Sequence, residues 1–351
     1  MFPRLQLFME WVKRKLRFLE RRNEKLSPWY VENGGKLLEG LIASSNGKYN
    51  IPYRVFTVEE LNKATNIDFP SLSDCGSRSI LRDGTGYYIS GIFQQRSILV
   101  KKFYFSGDIG ASCAVNDIVI TVLMNCHKNV LKVLGCCLDL KIPAIIYEIG
   151  INCRLLYNLL SGRNFGNNIG LSLSWSNRLK IARDVANAVV YLHTAFPTPI
   201  IHRDLGAKNI FVDNNGIAKL VDFSLCVALP PGESQVKVNH IVGLEANFDP
   251  ELATTSIITE KVDVYMFGMF LLQLLTGCKH MQHDDKNELS ETLDPIILVE
   301  KGQIEHQLHA FSRLALRCTL DRGIDRPYII DVAKELVRIQ RSIHPTQRSS
   351  R

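Results

Sequence analysis

The sequence predicts an α+β protein of two lobes, a strand-rich one followed by a helical one. Residues 70–150 hold short β-branched and aromatic runs, "YYISGIF", "SILVKKFYF", "VLKVLGCCL" and "PAIIYEI", of strand length and composition. From about 171 the apolar spacing becomes helical. "LSWSNRLKIARDVANAVVYLHTA" sets Leu179, Ala182, Val185, Ala186, Val189 and Leu192 on one face. "KVDVYMFGMFLLQLLTG" is apolar nearly all round, which predicts a buried helix closed by Gly277. With 351 residues, 46% of them hydrophobic, the chain can fill the core of one large bilobal domain or two small ones. The divisions read as an N-terminal extension at 1–50, a strand-rich lobe at 51–150, a helical lobe at 151–340 and a basic tail at 341–351.

Within the extension, Leu5, Phe8, Val12, Leu16 and Leu19 recur at helical spacing with Lys13, Arg14, Lys15 and Arg17 between them, a basic amphipathic helix. Three covers for its apolar face are open: the strand-rich lobe, a groove on a partner, or a membrane surface. "LIASSNGKYNIP" reads as a separating segment. "FTVEELNKATNIDF" reads as a short helix with a capping box, Thr57 as N-cap and Glu60 three residues on. A further helix runs through "AVNDIVITVLMNC".

The net charge is +7, with eight Lys/Arg against three Asp/Glu in 1–25 and five against two in 331–351. A nearly neutral body with basic ends argues against a nucleic-acid binder, which carries its basic face on the fold itself. The ends suit an anionic membrane surface, an acidic partner, or solvation alone. Nine cysteines without CxxC spacing read as reduced thiols. No stretch reads as a signal peptide or a bilayer span, and Phe2 after Met1 leaves no myristoylation motif. The expected location is cytoplasmic, with peripheral contact at the plasma membrane through the basic N-terminus.

Six signals occur in one order: Lys101 at the end of "SILVK", "HRDLGAKN" with Asp204 and Asn209, "VDF" with Asp222, then "DPE", "DVYMFG" and "DRP". Singly, most mean little. Together they suit phosphoryl transfer. That chemistry needs a carboxylate on the acceptor hydroxyl (Asp204), oxygen ligands for Mg²⁺ (Asn209, Asp222) and a cation on the α/β-phosphates (Lys101).

The set resembles the protein kinases, and more closely the plant receptor-like kinases. "HKNVLKVLGCCL", "IIYE", "RLKIARDVANAVVYLH" and "DVYMFG" are similar to the wall-associated-kinase-like branch. "VENGGKLLEGLIASSNGK" is similar to the receptor-like cytoplasmic kinases of the HopZ-effector-recognition group. The resemblance implies a bilobal kinase fold with ATP and Mg²⁺ as cofactors. It implies Leu81, Asp83, Gly84, Gly86, Lys101 and Glu148 around the nucleotide. It also implies a pseudokinase adaptor whose partners are a nucleotide-binding leucine-rich-repeat immune receptor and kinase-like client proteins. The rival reading is an active serine/threonine kinase.

Several positions depart from a working kinase. Of the family's GxGxxG loop only "DGTG" remains, with Leu81 and Asp83 at the first two glycine positions and Gly86 at the third. An Asp brought to ~4 Å from phosphate costs up to ~4 kcal/mol at an effective dielectric near 20. Ile118 falls where a Glu should meet Lys101; Asp117, one residue earlier, is either a short substitute needing a local bulge or an exposed helix residue. Gly206 replaces a lysine, and Lys208 is a candidate to supply that cation. Ser224 replaces the glycine after "VDF", which restricts loop motion. Leu244 replaces a threonine, and Ser234 is the one candidate phosphate acceptor for Arg203. Glu251 and Arg326 match the family's buried ion pair. Val227 and Leu229, in "VALPPG", are candidate docking residues for clients.

Overall fold

The computed structural model describes residues 27–45, 54–69, 80–82, 85–104, 107–162, 173–238, 249–277 and 293–342. The amphipathic helix read at 5–19, Asp83, Gly84 and Leu244 lie outside these residues.

The first lobe is built on a six-stranded sheet. Its strands are β1 (Arg54–Val55), β2 (Ile80–Arg82), β3 (Gly86–Phe93), β4 (Arg96–Phe103), β5 (Val133–Cys137) and β6 (Ala144–Glu148), in the spatial order β1-β5-β6-β4-β3-β2. β3 and β4 form its long hairpin, in register from Gly86↔Phe103 to Phe93↔Arg96. Alternation along these strands separates two buried clusters, because successive side chains point to opposite faces. Tyr88, Leu99 and Tyr147 join the large core shared with the second lobe. Tyr87, Ile89, Ile98, Val100 and Ile146 pack instead with Phe56, Leu61 and Phe69 on the other face.

Among the described residues three helices complete this lobe: α1 (Pro28–Ser45), α2 (Val58–Thr65) and α3 (Gly107–Met124). The capping box of α2 forms in both directions between Thr57 and Glu60. Two adjacent glycines, Gly34 and Gly35, make α1 an unfavourable helix by propensity, at about 1 kcal/mol each, and "LIASS" reads as linker. Packing overrides both. Tyr30, Leu37 and Leu41 are buried, and Asn33 Nδ2 donates to the carbonyls of Leu138 (3.1 Å) and Leu140 (2.9 Å). Gly40 allows close approach to α3: a Cβ there would stand 2.9 Å from Val119 Cγ2. Over Pro28–Ser45 the extension thus folds onto the strand-rich lobe. By length and composition α3 is apolar enough to cross a bilayer, contrary to the sequence reading, but 56% of it is buried inside the lobe. It is a core helix.

The second lobe is helical, with α4 (Leu156–Leu160), α5 (Trp175–Thr194), α6 (Pro250–Thr255), α7 (Glu260–Thr276), α8 (Pro295–Cys318) and α9 (Ile329–Arg341). Short strands line the side facing the first lobe: β7 (Arg154–Leu155), β8 (Ile200–Ile201), β9 (Ile210–Val212), β10 (Ala218–Leu220) and β11 (Val227–Ala228). β12 (Val236–Lys237) and β13 (Ile257–Ile258) pair further on. α7 is buried along nearly its whole length, and Gly277 ends it in the left-handed conformation at φ 72°. Arg178 of α5 is fully buried and donates to Leu173 O, Leu274 O and Asp294 Oδ2, at 2.8, 2.7 and 2.7 Å.

The buried ion pair of this lobe uses a different acid from the one the sequence suggests. Arg326 makes a two-pronged pair with Asp249, both contacts at 2.6 Å, with neither side chain more than 1% exposed. Glu251, two residues on, instead accepts from the Gly323 amide at 3.0 Å. Asp249 is the N-cap of α6, so it faces back toward Arg326 while Glu251 has already turned with the helix. Asp249→Ala should therefore lower the unfolding free energy by about 3–5 kcal/mol, since it strands a buried guanidinium. Glu251→Gln should cost about 1 kcal/mol. Urea denaturation of both variants checks the assignment; equal losses would contradict it.

Candidate active site

Of the sequence-predicted residues, Lys101, Asp204, Asn209 and Asp222 lie at the cleft between the lobes. Lys101 projects from β4, and its ammonium is fully buried between two carboxylates, Asp222 Oδ1 at 2.6 Å and Asp117 Oδ2 at 3.0 Å. Asp117, read as an exposed residue or one needing a bulge, does neither. It is completely buried within an unbroken α3 and also accepts from the Phe223 amide (3.0 Å) and the Thr121 hydroxyl (3.1 Å). Ile118, where the family places its acid, is core. The shorter acid reaches from one position earlier.

Asp222 is enclosed on every side. Its Oδ1 takes Lys101 together with the Ser224 hydroxyl (2.5 Å) and amide (3.2 Å). Its Oδ2 accepts from the Thr85 hydroxyl at 2.5 Å. Asp222 holds a left-handed φ of 64°, a strained conformation for a residue with a Cβ. Burial alone would raise its pKa, but the Lys101 ammonium and the hydrogen bonds from Lys101, Ser224 and Thr85 outweigh that and hold the carboxyl well below the usual range. For Asp117 burial prevails over Lys101 and raises the pKa. The metal loop is also tied to α3, because Asn116 Nδ2 donates to the carbonyls of Phe223, Ser224 and Cys226 at 2.9–3.2 Å.

The catalytic loop is held from beneath by Asp263 of α7. Its carboxylate accepts from the amides of His202 and Arg203 and from His193 Nε2, all at 2.8 Å. Arg203 thereby keeps a left-handed φ of 69°. Asp204 Oδ1 pairs with Lys208 at 2.8 Å, and its Oδ2 accepts from Asn209 Nδ2 at 2.9 Å. Asn209 Oδ1 is buried without a hydrogen-bond partner among the described residues. In the proposed metal set, both Asp222 oxygens already accept, Oδ1 from Lys101 and Ser224 and Oδ2 from Thr85, whereas Asn209 Oδ1 accepts nothing among the described residues. As arranged, these residues do not fit a Mg²⁺ ion.

The cleft face of the sheet is packed against the second lobe. Tyr88 pairs across the hairpin with Lys101, and Leu99 with Tyr147. These side chains therefore share the sheet face that looks toward the second lobe. Phe211 rises from β9, and its ring meets Tyr88 edge-on at a centroid separation of 5.4 Å. Both are fully buried. A flat base needs roughly 3.5 Å of clearance on each of its two faces. The contact leaves no such gap between these rings.

Of the other predicted nucleotide contacts, Leu81 pairs through its backbone with Tyr88. Gly86 serves the hairpin, since a Cβ there would run into the Lys102 carbonyl. Glu148 faces away, with its carboxylate among the outer cations Arg96 (3.7 Å) and Lys132 (3.2 Å). Val227 is half-buried in β11, and Leu229 is core, 2% exposed, with its amide bonded to Pro199 O. Leu229 is thus unsuited to docking; the exposed stretch is 230–235. Thr85, Tyr88, Asn116, Phe211 and Asp263 are site residues that sequence reading missed. Only Asp263 had a signal, its place at the head of "DVYMFG".

Two lobes, a cleft lysine paired with an acidic residue on a helix, and a catalytic loop facing a metal loop define a protein-kinase domain. The chain belongs to the protein tyrosine and serine/threonine kinase family, whose model matches residues 94–336. It is similar to three proteins of Arabidopsis thaliana that carry different descriptions. Non-functional pseudokinase ZED1 is 36% identical over 92% of this chain and 99% of its own length. Serine/threonine-protein kinase ZRK1 is 36% identical over 92% and 95%. Putative wall-associated receptor kinase-like 16 is 35% identical over 86% and 70%.

Lys101→Met should destabilise the fold by about 3–5 kcal/mol at pH 7, because two buried carboxylates lose their shared cation. Without it, both carboxyl pKa values in the folded state rise above the unfolded value of about 3.9. The deficit then grows as pH rises above that value and shrinks as pH falls. Urea unfolding should show the variant recovering stability relative to wild type between pH 7 and 5. A pH-independent deficit would count against the pairing.

Proposed function

We propose that this protein is a kinase-fold adaptor, a pseudokinase that works through its surfaces and transfers phosphate feebly or not at all. One observation carries this reading: Asp222, the carboxylate a kinase uses to hold its metal, is spent internally on Lys101, Ser224 and Thr85. The filled space between Tyr88 and Phe211 adds to it, and so does the likeness to a relative described as a non-functional pseudokinase over nearly its whole length. The setting is plant immune signalling. The partners are a nucleotide-binding leucine-rich-repeat immune receptor and kinase-like clients, not nucleic acid. The location is the cytoplasm, with the basic N-terminus available to an anionic membrane surface.

The rival reading, an active Mg-ATP-dependent serine/threonine kinase, draws on the Lys101–Asp117 pair and on Lys208 beside Asp204. Transfer of labelled phosphate by the purified protein separates the two. The wild type should give no more signal than Asp204→Asn. Signal that disappears in the variant would install the rival. Association with the immune receptor should survive Asp204→Asn, as judged by co-purification.

Nucleotide binding offers a second test. At 1 mM Mg-ATP the wild type should show almost no rise in melting temperature. Tyr88→Val combined with Ser224→Gly opens both obstructions and should gain a measurable rise. A site of 10 μM affinity would contribute about 2.7 kcal/mol at that concentration. A large wild-type shift would show that the rings part for the base.

A further inference from the structure

One end of the helical lobe carries a cavity lined by none of the cleft residues described above. It measures about 420 Å³ and lies among the start of α7, the end of α8, the turn Gly323–Asp325 and α9. Lys261, Arg317, Ile324, Tyr328, Glu335 and Arg338 line it. That volume is within the range of ligand-holding pockets. Its lining is mostly polar, but two large exposed apolar side chains, Ile324 and Tyr328, stand in it. Of the 14 large hydrophobic residues exposed among the described residues, five fall within 316–330: Leu316, Leu320, Ile324, Tyr328 and Ile330. Ile324 is 77% exposed and Tyr328 56%. Exposed apolar side chains at a cavity rim suit a docking contact.

The charges around it do not cancel. Glu335 is engaged by Arg338 at 3.0 Å, Asp331 by Lys334 at 3.3 Å, and Arg326 by Asp249. Arg317 and Lys261 have no carboxylate within 4 Å among the described residues. The Lys261 ammonium stands 3.8 Å over the Tyr328 ring and donates to the carbonyls of Arg326 and Pro327. Burial draws its pKa down despite the opposing pull of Glu260 and Asp331.

The chain's own ends are poor occupants. Residues 1–25 carry eight cations against three acids, and 343–351 carry two arginines and no acid. Its acidic run, with Asp284, Asp285, Glu288 and Glu291, joins the far ends of α7 and α8. α7 has 17 residues and so spans about 25 Å. That run would need both its arms fully extended to reach the cavity.

We propose that this cavity docks an acidic segment of a partner protein, with a large apolar side chain on Ile324 and Tyr328 and flanking carboxylates facing Arg317 and Lys261. The surface serves an adaptor, but the inference does not depend on whether the cleft transfers phosphate.

The test uses the full chain and a fluorescein-labelled twelve-residue peptide of Asp and Glu with a central Phe-Leu, read by fluorescence polarisation. A second peptide carries Lys at every acidic position. The acidic peptide should bind, with its Kd rising at least fivefold between 50 and 300 mM NaCl. Arg317→Glu and Ile324→Asp both change exposed side chains. Each should weaken binding at least tenfold while leaving the melting temperature unchanged. The proposal fails if the acidic peptide binds no better than the lysine peptide, or if both variants bind it like wild type. Sedimentation supplies a further arm: self-association that Arg317→Glu disperses would assign the surface to a second copy and overturn the partner named here.

Discussion

An ammonium group in a protein interior must be neutralised, and much of the cleft follows from how Lys101 meets that demand. It is fully buried and takes a carboxylate from each of two elements, Asp117 of α3 and Asp222 of the metal loop. A lone buried cation carries a desolvation penalty of several kcal/mol, which only close partners with satisfied oxygens offset. Each remaining oxygen is accordingly bonded. Asp117 accepts from Phe223 and Thr121, and Asp222 from Thr85 and Ser224. The sheet, the helix and the loop are thereby cross-linked through one side chain. The same contacts that stabilise the cleft occupy both oxygens of Asp222.

This explains why single substitutions at the site read differently in isolation and together. Ser in place of a flexible glycine looks like a mere restriction of motion, yet Ser224 also caps Asp222. Asp117 looks too short for its task, yet one step back along the helix compensates for the missing methylene. Thr85 belongs to a degraded phosphate loop and acts as a third hydrogen-bond donor to the network. Local departures from a working kinase are here mutually supportive, as expected of a sequence settled in one low-energy arrangement.

The two-lobe fold was legible in the sequence because it rests on periodicity. Strand alternation separates the two faces of the first sheet, and the helical spacing of α5 and the all-apolar α7 mark the second lobe. Asp204, Asn209, Asp222 and Lys101 were legible because their spacing is set by chemistry. The pair Asp249–Arg326 was not, since which of two acids near a helix start turns inward depends on cap geometry. Tyr88 and Phe211 were also hidden. They lie 123 positions apart and meet only because two lobes close on each other. Helix α1 was missed because its paired glycines and serine-rich end read as linker, and only docking on α3 makes it helical.

That docking has a consequence for how the chain is made. α3 is apolar enough to resemble a membrane span, and such a segment leaving the ribosome bare is a natural target for chaperones or for mistaken delivery to a bilayer. Its cover, α1, begins 79 residues upstream and so emerges first. Synthesis from the N-terminus therefore brings the shield into water before the surface that needs it, and the order of elements along the chain doubles as a schedule for keeping the nascent lobe out of trouble.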